Sequence, residues 1–220
     1  MKAIILDTET TGLNDPEPVE TAFQEVFFDS KFDLLAGECG WQRWKPSKPI
    51  ELGALATHHI LDEELENSTL SSEFELPEGV AYIIGHNVDY DWCAIGKPDV
   101  KRICTQAIAR HLWPELDSHS QSALIYHLRR QEARSMLKHA HSALVDVQNC
   151  FVLLKEILVK SPAILDIESL YQYSESCRIP THMPFGKYKG WPISNVPSDY
   201  VSWYLRQADT DPYLIEAFRR

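Results

Sequence analysis

No run of about 18 apolar residues occurs in the chain, so no membrane-spanning helix is expected. The N-terminus also lacks a basic segment followed by a long apolar stretch, so no signal peptide is expected and the chain reads as cytoplasmic. Cysteines number five (39, 93, 104, 150 and 177), an odd count with no C-x-x-C pair. That argues against a disulfide framework or a structural zinc site, and fits reduced thiols, with Cys104 and Cys150 in apolar core settings. Cations are scarce in the first half. Residues 1–100 hold 6 Lys/Arg against 20 Asp/Glu, a net of −14, whereas residues 101–220 hold 15 against 12, a net of +3. This shortage excludes an avid, non-specific coat on duplex DNA, because such binding rests on neutralising phosphates. It leaves two readings open, a cation-binding carboxylate cluster beside a phosphate-binding flank, or solvated acidic faces.

What is present is enough for one sizeable core. The chain has 220 residues, 44% of them hydrophobic. "KAIILD" predicts a central strand ended by Thr11-Gly12. "VETAFQEVFF" and "GECGWQRWKP" predict two more strands, joined by a Gly-containing turn into an antiparallel meander with the first. "LGALATHHI" and "DEELENSTL" predict short helices, the second with Asp62 as N-cap. "VAYIIGHN" and "RICT" predict a fourth and a fifth strand, and "QAIARHLW" a helix closed by Pro114. "SHSQSALIYHLRR" opens on serine caps. "HSALVDVQNCFVLLKEILVK" is the longest periodic segment, with an apolar stripe of Leu144, Val147, Phe151, Leu154 and Leu158. Strands followed by alternating strands and helices predict an α/β fold with a mixed sheet. After Ser161-Pro162 the composition turns aromatic and proline-rich. A domain over 1–163 and a small module over 166–220 are expected, the latter with helices in "SDYVSWYLRQ" and "DPYLIEAFRR".

The first strand ends by presenting Asp7 and Glu9 on one side, since strand side chains alternate with period 2. Adjacent carboxylates repel in a partly dry site. "GHNVDYD" places Asp91 near a helix start. "HSALVD" places His141 and Asp146 five apart, able to face one cleft if His141 sits at or just before the first turn. Four converging carboxylates make sense around cations such as Mg²⁺ or Mn²⁺, which take oxygen ligands. Two such ions clamp the attacking and leaving oxygens of an in-line phosphoryl displacement. The remaining need is a group that takes a proton near neutral pH, and His141 has the right chemistry.

D-x-E-T-T-G-L, H-N-x-x-[FY]-D and H-x-x-x-x-D, in this order over residues 3–158, resemble the DnaQ-like (DEDDh) 3′–5′ exonucleases. "ICTQAIARHLWP", the histidine His58 in "ATHHI", and "PFGKYKG" before an aromatic helix resemble the exonuclease X-like bacterial members. The resemblance implies an RNase H-like mixed five-stranded sheet flanked by helices, and a metal-dependent exodeoxyribonuclease that uses two Mg²⁺ (or Mn²⁺). By position, Asp7 would bridge both metals, Glu9 and Asp146 would complete the site of the water-activating ion, and Asp91 would serve the second. His141 would be the general base. Backbone near Thr10 would meet the 3′-hydroxyl, Leu13 would pack on the last base, and Asn87 would support. The implied partner is nucleic acid, DNA 3′ ends single- or double-stranded, with no membrane, and association with replication or repair proteins. Three features depart from the pattern: Tyr90 where Phe is usual, Asp89 two residues from Asp91, and a long acidic hairpin region over 14–40.

Several residues carry a plainer reading beside the chemical one. His139 is a neighbour or phosphate contact rather than a metal ligand, and His58-His59 reads as a surface pair. Arg129, Arg130, Arg134 and Lys138 form either a solvated helix face or a phosphate track. Lys187 and Lys189 in "FGKYKG" fit substrate phosphates, and Tyr188 and Trp191 either stack on bases or form a small aromatic core. Two further readings stay open: an exoribonuclease acting on short RNA, and a docking module that keeps the fold without the reaction.

Overall fold

The structure, a computed structural model, describes residues 2–208 and 210–220. Its first strand, β1 (Lys2–Thr10), has neighbours on both sides and is buried from Ala3 to Leu6, which is why this segment is a continuous apolar run. β2 (Pro18–Phe28) and β3 (Leu34–Lys45) complete the antiparallel meander. The turn between them, Asp29–Asp33, contains no glycine. The Asp29 carboxylate accepts the N–H groups of Lys31 and Asp33, and Phe32 takes φ +64°, so side-chain hydrogen bonds supply what glycine was expected to. The glycine signal lies inside β3 instead. Gly40 faces Phe23 across the ladder, where a Cβ would come 2.3 Å from the ring.

Helix α1 (Leu52–His58) follows, then a single 3-10 turn over Asp62–Leu65. Leu61, not Asp62, is the N-cap there, and its N–H is satisfied by the Glu64 carboxylate. Two residues, Thr69–Leu70, then pair in parallel with Trp44–Lys45 as β4. The sheet therefore has six strands in the order β4-β3-β2-β1-β5-β6, not five, with β5 (Val80–Gly85) and β6 (Lys101–Cys104) parallel to β1. A two-residue edge strand leaves no periodicity to read.

Helices α2 (Val88–Ala94), α3 (Thr105–Leu112), α4 (Gln121–Leu128) and α5 (Ala133–Met136) follow, and Ser120 caps α4 by accepting the Ala123 N–H. The even positions Ile4 and Leu6 pack with Ile83, Cys104 and Val88 of α2. The long helix α6 (Ala143–Lys160) packs on β1 and β2. Its buried stripe is Val147, Cys150, Leu154 and Ile157, rotated from the expected one, so Leu144, Phe151 and Leu158 are only half-buried. All five cysteines are free thiols.

The chain divides into two compact units, Met1–Ser174 and Glu175–Arg220, and the division falls inside α7 (Ile167–Arg178). In the first unit, Ser174 Oγ accepts the Cys104 N–H at 2.8 Å, and Glu168 accepts from Lys101 and from the Tyr82 hydroxyl. The second unit has its own core of Met183, Val196, Tyr204, Leu214 and Ala217 between α8 (Ser198–Tyr204) and α9 (Pro212–Arg219). Asp211 caps α9 through the Tyr213 N–H, with Pro212 at the first helical position, as expected.

The packed face of α6 is testable in urea. Leu154→Ala is expected to cost about 2–5 kcal/mol through the cavity it leaves. Val159→Ala, at a position 75% exposed, is expected to stay within about 0.5 kcal/mol of the parent. Equal midpoints for the two variants would contradict the packing described.

Candidate active site

The site forms where β1 outruns its parallel neighbour. Pairing of β1 with β5 ends at Ile5↔Ile84, while pairing with β2 continues to Thr10↔Pro18. The exposed edge of β1 is then open to side chains. With Ile4 and Leu6 facing α2, the odd residues Asp7 and Glu9 face the other side, where α6 packs. There Asp7, Glu9 and Asp146 offer carboxylate oxygens that all lie within 4.8 Å of one another.

Asp91 reaches the same place from α2. Its Oδ1 accepts the Thr8 N–H at 2.9 Å and the Thr8 hydroxyl at 2.8 Å, taking the hydrogen bond that a longer β5 would have made. Asp91 is buried, whereas Asp89 pairs with Arg102, so of the two acids in "VDYD" it is Asp91 that joins the cluster. Tyr90 has a use for the hydroxyl that distinguishes it from Phe. It donates to the Gly12 carbonyl at 2.9 Å and is also hydrogen-bonded to Thr10 Oγ1, tying the turn after β1 to α2.

The start of α6 supplies the rest. His141 lies just before the helix, two residues ahead of Ala143, with φ +66°, a left-handed conformation that costs a non-glycine residue on the order of 1 kcal/mol. Its N–H donates to Asp146 Oδ2 at 2.8 Å, and its side chain lines the cleft. Glu20, directly across the ladder from Glu9, fixes this turn. The buried Glu20 carboxylate accepts the Ala143 N–H at 3.0 Å and the Ser142 hydroxyl at 3.3 Å, and Arg43 neutralises its other oxygen at 3.3 Å. Gln121 Nε2 donates to both the carbonyl and Oδ1 of Asp146, at 3.0 and 3.1 Å.

Electrostatics follow from this crowding. Burial, reinforced by the Asp146, Glu20 and Asp91 charges, pushes the Glu9 carboxyl up to about 8. Asp7 is raised well above the ordinary range, by burial first and then by Asp91, Asp146, Glu9 and Glu20. Asp91 rises to about 7 through burial, although its hydrogen bonds from Thr8 pull the other way. Asp146 is raised by burial against the pull of the His141 N–H. Asp7, Glu9 and Asp146, with Asp91 beside them around a cleft of about 230 Å³, offer the oxygen donors that a hard divalent cation takes. Gln121 Oε1 is buried without a hydrogen-bond partner among the described residues.

The other expected residues take varied places. Asn87 is the N-cap of α2 with φ +72° and lines the cleft. Thr10 is buried, with its hydroxyl committed to the turn, and Leu13 beyond it is 80% exposed. Lys187 and Lys189 are exposed in the second unit. Three positions differ from expectation or refine it. His58 is buried rather than at the surface, donating from Nε2 to the Thr10 carbonyl and accepting the Ile60 N–H at Nδ1, so it pins the end of β1. His139 is exposed, and Arg129 pairs with Glu156. Sequence reasoning missed Glu20, Thr8 and Gln121. It also missed His86, which is kept neutral by burial, with its titration held down to about 4, while it donates to the His119 carbonyl. Two signals were available: Glu20, a charge inside the apolar run "VETAF", and His86, the first residue of the H-N-x-x-[FY]-D motif.

Over 212 residues the chain is 27% identical to exodeoxyribonuclease 10 of Escherichia coli (strain K12), spanning 94% of this chain and 91% of that protein. The same figures hold for exodeoxyribonuclease 10 of Escherichia coli O6:H1. Exonuclease X, solved in complex with 5′-overhanging duplex DNA, superposes with a TM-score of 0.61 at 25% identity, over 78% of this chain and 99% of that one. E. coli exonuclease I in a zinc-bound complex with single-stranded DNA has a TM-score of 0.55 at 19% identity, over 78% of this chain and 42% of that one, a likeness of fold. Residues 177–210 match a family described as "Putative quorum-sensing-regulated virulence factor".

The raised carboxylates fix the sign of a pH effect. Each binds its proton more tightly in the folded chain, so stability falls as pH rises from the ordinary carboxylate range through the folded value. His86 acts oppositely, but its contribution is complete by about pH 7, where unfolded histidine is largely neutral too. In chelator, the urea midpoint is expected to fall between about pH 7 and about pH 8.5, and Glu9→Gln should remove part of the fall. A midpoint that holds or rises over this window would show that the carboxylates do not repel one another as described.

Proposed function

Because the chain is a DnaQ-like exonuclease, and so a phosphodiester hydrolase, we propose that it removes nucleoside 5′-monophosphates stepwise from DNA 3′ ends in a metal-dependent reaction. The observation that carries this reading is the convergence of Asp7, Glu9 and Asp146 within 4.8 Å, with Asp91 beside them. DNA is favoured over RNA by the substrates named for the relatives.

Asp7, Glu9 and Asp146 would hold one Mg²⁺ or Mn²⁺, and Asp7 and Asp91 a second. Such ions supply Lewis acidity at the phosphate oxygens and a nucleophilic water near neutral pH. The chain does the rest. His141, exposed at the cleft mouth, accepts the proton of the attacking water, and its left-handed backbone is held by the bond from its N–H to Asp146. Glu20 and Gln121 keep Asp146 and the first turn of α6 in place without touching substrate. The turn fixed by Tyr90 presents the backbone at Thr10 to the 3′-hydroxyl and leaves Leu13 free to pack on the terminal base. Asn87 borders the cleft as a supporting contact.

A 5′-labelled single-stranded DNA oligonucleotide is expected to shorten stepwise with Mg²⁺ or Mn²⁺ and to stay intact in chelator, with a matched RNA run beside it. Asp7→Ala and His141→Ala should each lower the rate by at least about 100-fold while circular dichroism stays native. No shortening with either metal would sink the reading, and parent-like rates for His141→Ala near neutral pH would remove the general base.

A further inference from the structure

The second unit carries groups for which the hydrolytic site has no use. Its core leaves rings half covered: Phe185 is 43% exposed, and Trp191 and Trp203 are each 48% exposed. Trp191, Tyr188, Tyr200 and Trp203 form a continuous ladder, with successive centroids 5.1, 4.9 and 5.2 Å apart. The segment "FGKYKG" is folded tightly against it. Gly186 and Gly190 take φ +74° and +82°, Lys189 N–H donates to the Gly186 carbonyl, and Trp191 N–H to the Tyr188 carbonyl. At Gly186 a Cβ would come 2.9 Å from the Tyr200 hydroxyl, so both the turn and its closeness to the ladder require glycine.

This turn displays two lysines. Both are exposed, and Lys187 Nζ sits 5.2 Å over the Tyr188 ring. Among the described residues neither pairs with a carboxylate. Residues 175–220 hold six Lys/Arg against five Asp/Glu, in a chain whose other residues hold 15 against 27. The cations therefore stand out from an acidic protein.

Half-exposed rings in series beside unpaired cations match one partner class best. Every base has a face to stack on a ring, and every linkage brings a phosphate for an ammonium. We propose that Trp191, Tyr188, Tyr200 and Trp203, with Lys187 and Lys189, form a stacking platform for single-stranded nucleic acid. The proposal deepens the nuclease reading, on which it rests, by giving the second unit its own hold on a strand.

The full chain in chelator, where no turnover occurs, tests it with a 5′-fluorescein-labelled oligo-dT of about 20 nucleotides followed by anisotropy. Trp191→Ala and Trp203→Ala should each weaken Kd roughly 5- to 100-fold, the equivalent of losing one base–aromatic stack. The double variant Lys187→Ala/Lys189→Ala should flatten the dependence of log affinity on log salt by about 1.4, from two phosphates. An abasic oligonucleotide of equal length should bind more weakly and ignore the tryptophan substitutions. Trp191→Phe should restore most of the affinity, which separates stacking from misfolding. Parent-like affinities in all these variants, or equal losses on normal and abasic strands, would overturn the platform. Metal-dependent turnover of thymidine 5′-(4-nitrophenyl phosphate) by the parent is measured separately. Its absence would defeat the hydrolytic reading and leave the binding result standing.

Discussion

Mutual repulsion among carboxylates at the end of β1 is the constraint around which the first unit is built. Asp7, Glu9, Asp91 and Asp146 come from a strand and two helices on opposite faces of one sheet. Packing forces them together: the apolar positions of β1, α2 and α6 are buried, and the acids occupy the next positions along the same elements. Bound protons offset part of the repulsion, which is why these carboxyls are raised. Arg43, beside the cluster, is committed to Glu20 and Glu64. A fold that tolerates such crowding does so for what the crowding binds, and oxygen-rich, negatively charged clefts bind hard cations.

The surrounding hydrogen bonds can be understood as the means of holding that arrangement. Thr8 consumes one oxygen of Asp91, Gln121 and the His141 N–H consume parts of Asp146, and Glu20 anchors the helix start that carries both His141 and Asp146. Each bond fixes the orientation of the carboxylate it reaches, and at Asp146 both oxygens are engaged, Oδ1 by Gln121 and Oδ2 by the His141 N–H. His58 and Tyr90 hold the backbone after Glu9, His58 at the Thr10 carbonyl and Tyr90 at the Gly12 carbonyl. Pre-set ligand geometry is what a metal-dependent reaction requires of its protein.

Most of this centre was legible because its signals are local. "DTETTGL", "HNVDYD" and "HSALVD" each pair an acid with the end of an apolar element; strand alternation puts Asp7 and Glu9 on one side, and the resemblance to the DEDDh motifs implied that Asp91, His141 and Asp146 join them. What the sequence could not display is pairing across distance. Glu20 matters because the ladder sets it opposite Glu9 and beneath the start of α6, and no spacing in the chain encodes that register. Thr8 matters because β5 is shorter than β1. β4 has two residues, too few for any period, and the Asp29 turn uses side-chain acceptors in place of the glycine that a turn usually signals. α6 forms where the periodicity placed it, yet its buried stripe is set by where β1 and β2 lie, so Val147 and Leu154 are buried as expected while Leu144, Phe151 and Leu158 give way to Cys150 and Ile157.

The account turns on whether cation binding relieves the repulsion. Calorimetric titration of the chain with Mn²⁺ near pH 7, repeated in buffers of different ionisation enthalpy, counts the protons that leave. With Glu9 near 8 and Asp91 near 7, binding must drive protons off the cluster, so a net release of roughly one proton or more per chain is predicted. The Asp7→Asn variant should bind weakly and release fewer. Binding without proton release, or undiminished binding by Asp7→Asn, would contradict a carboxylate cluster built to hold metal.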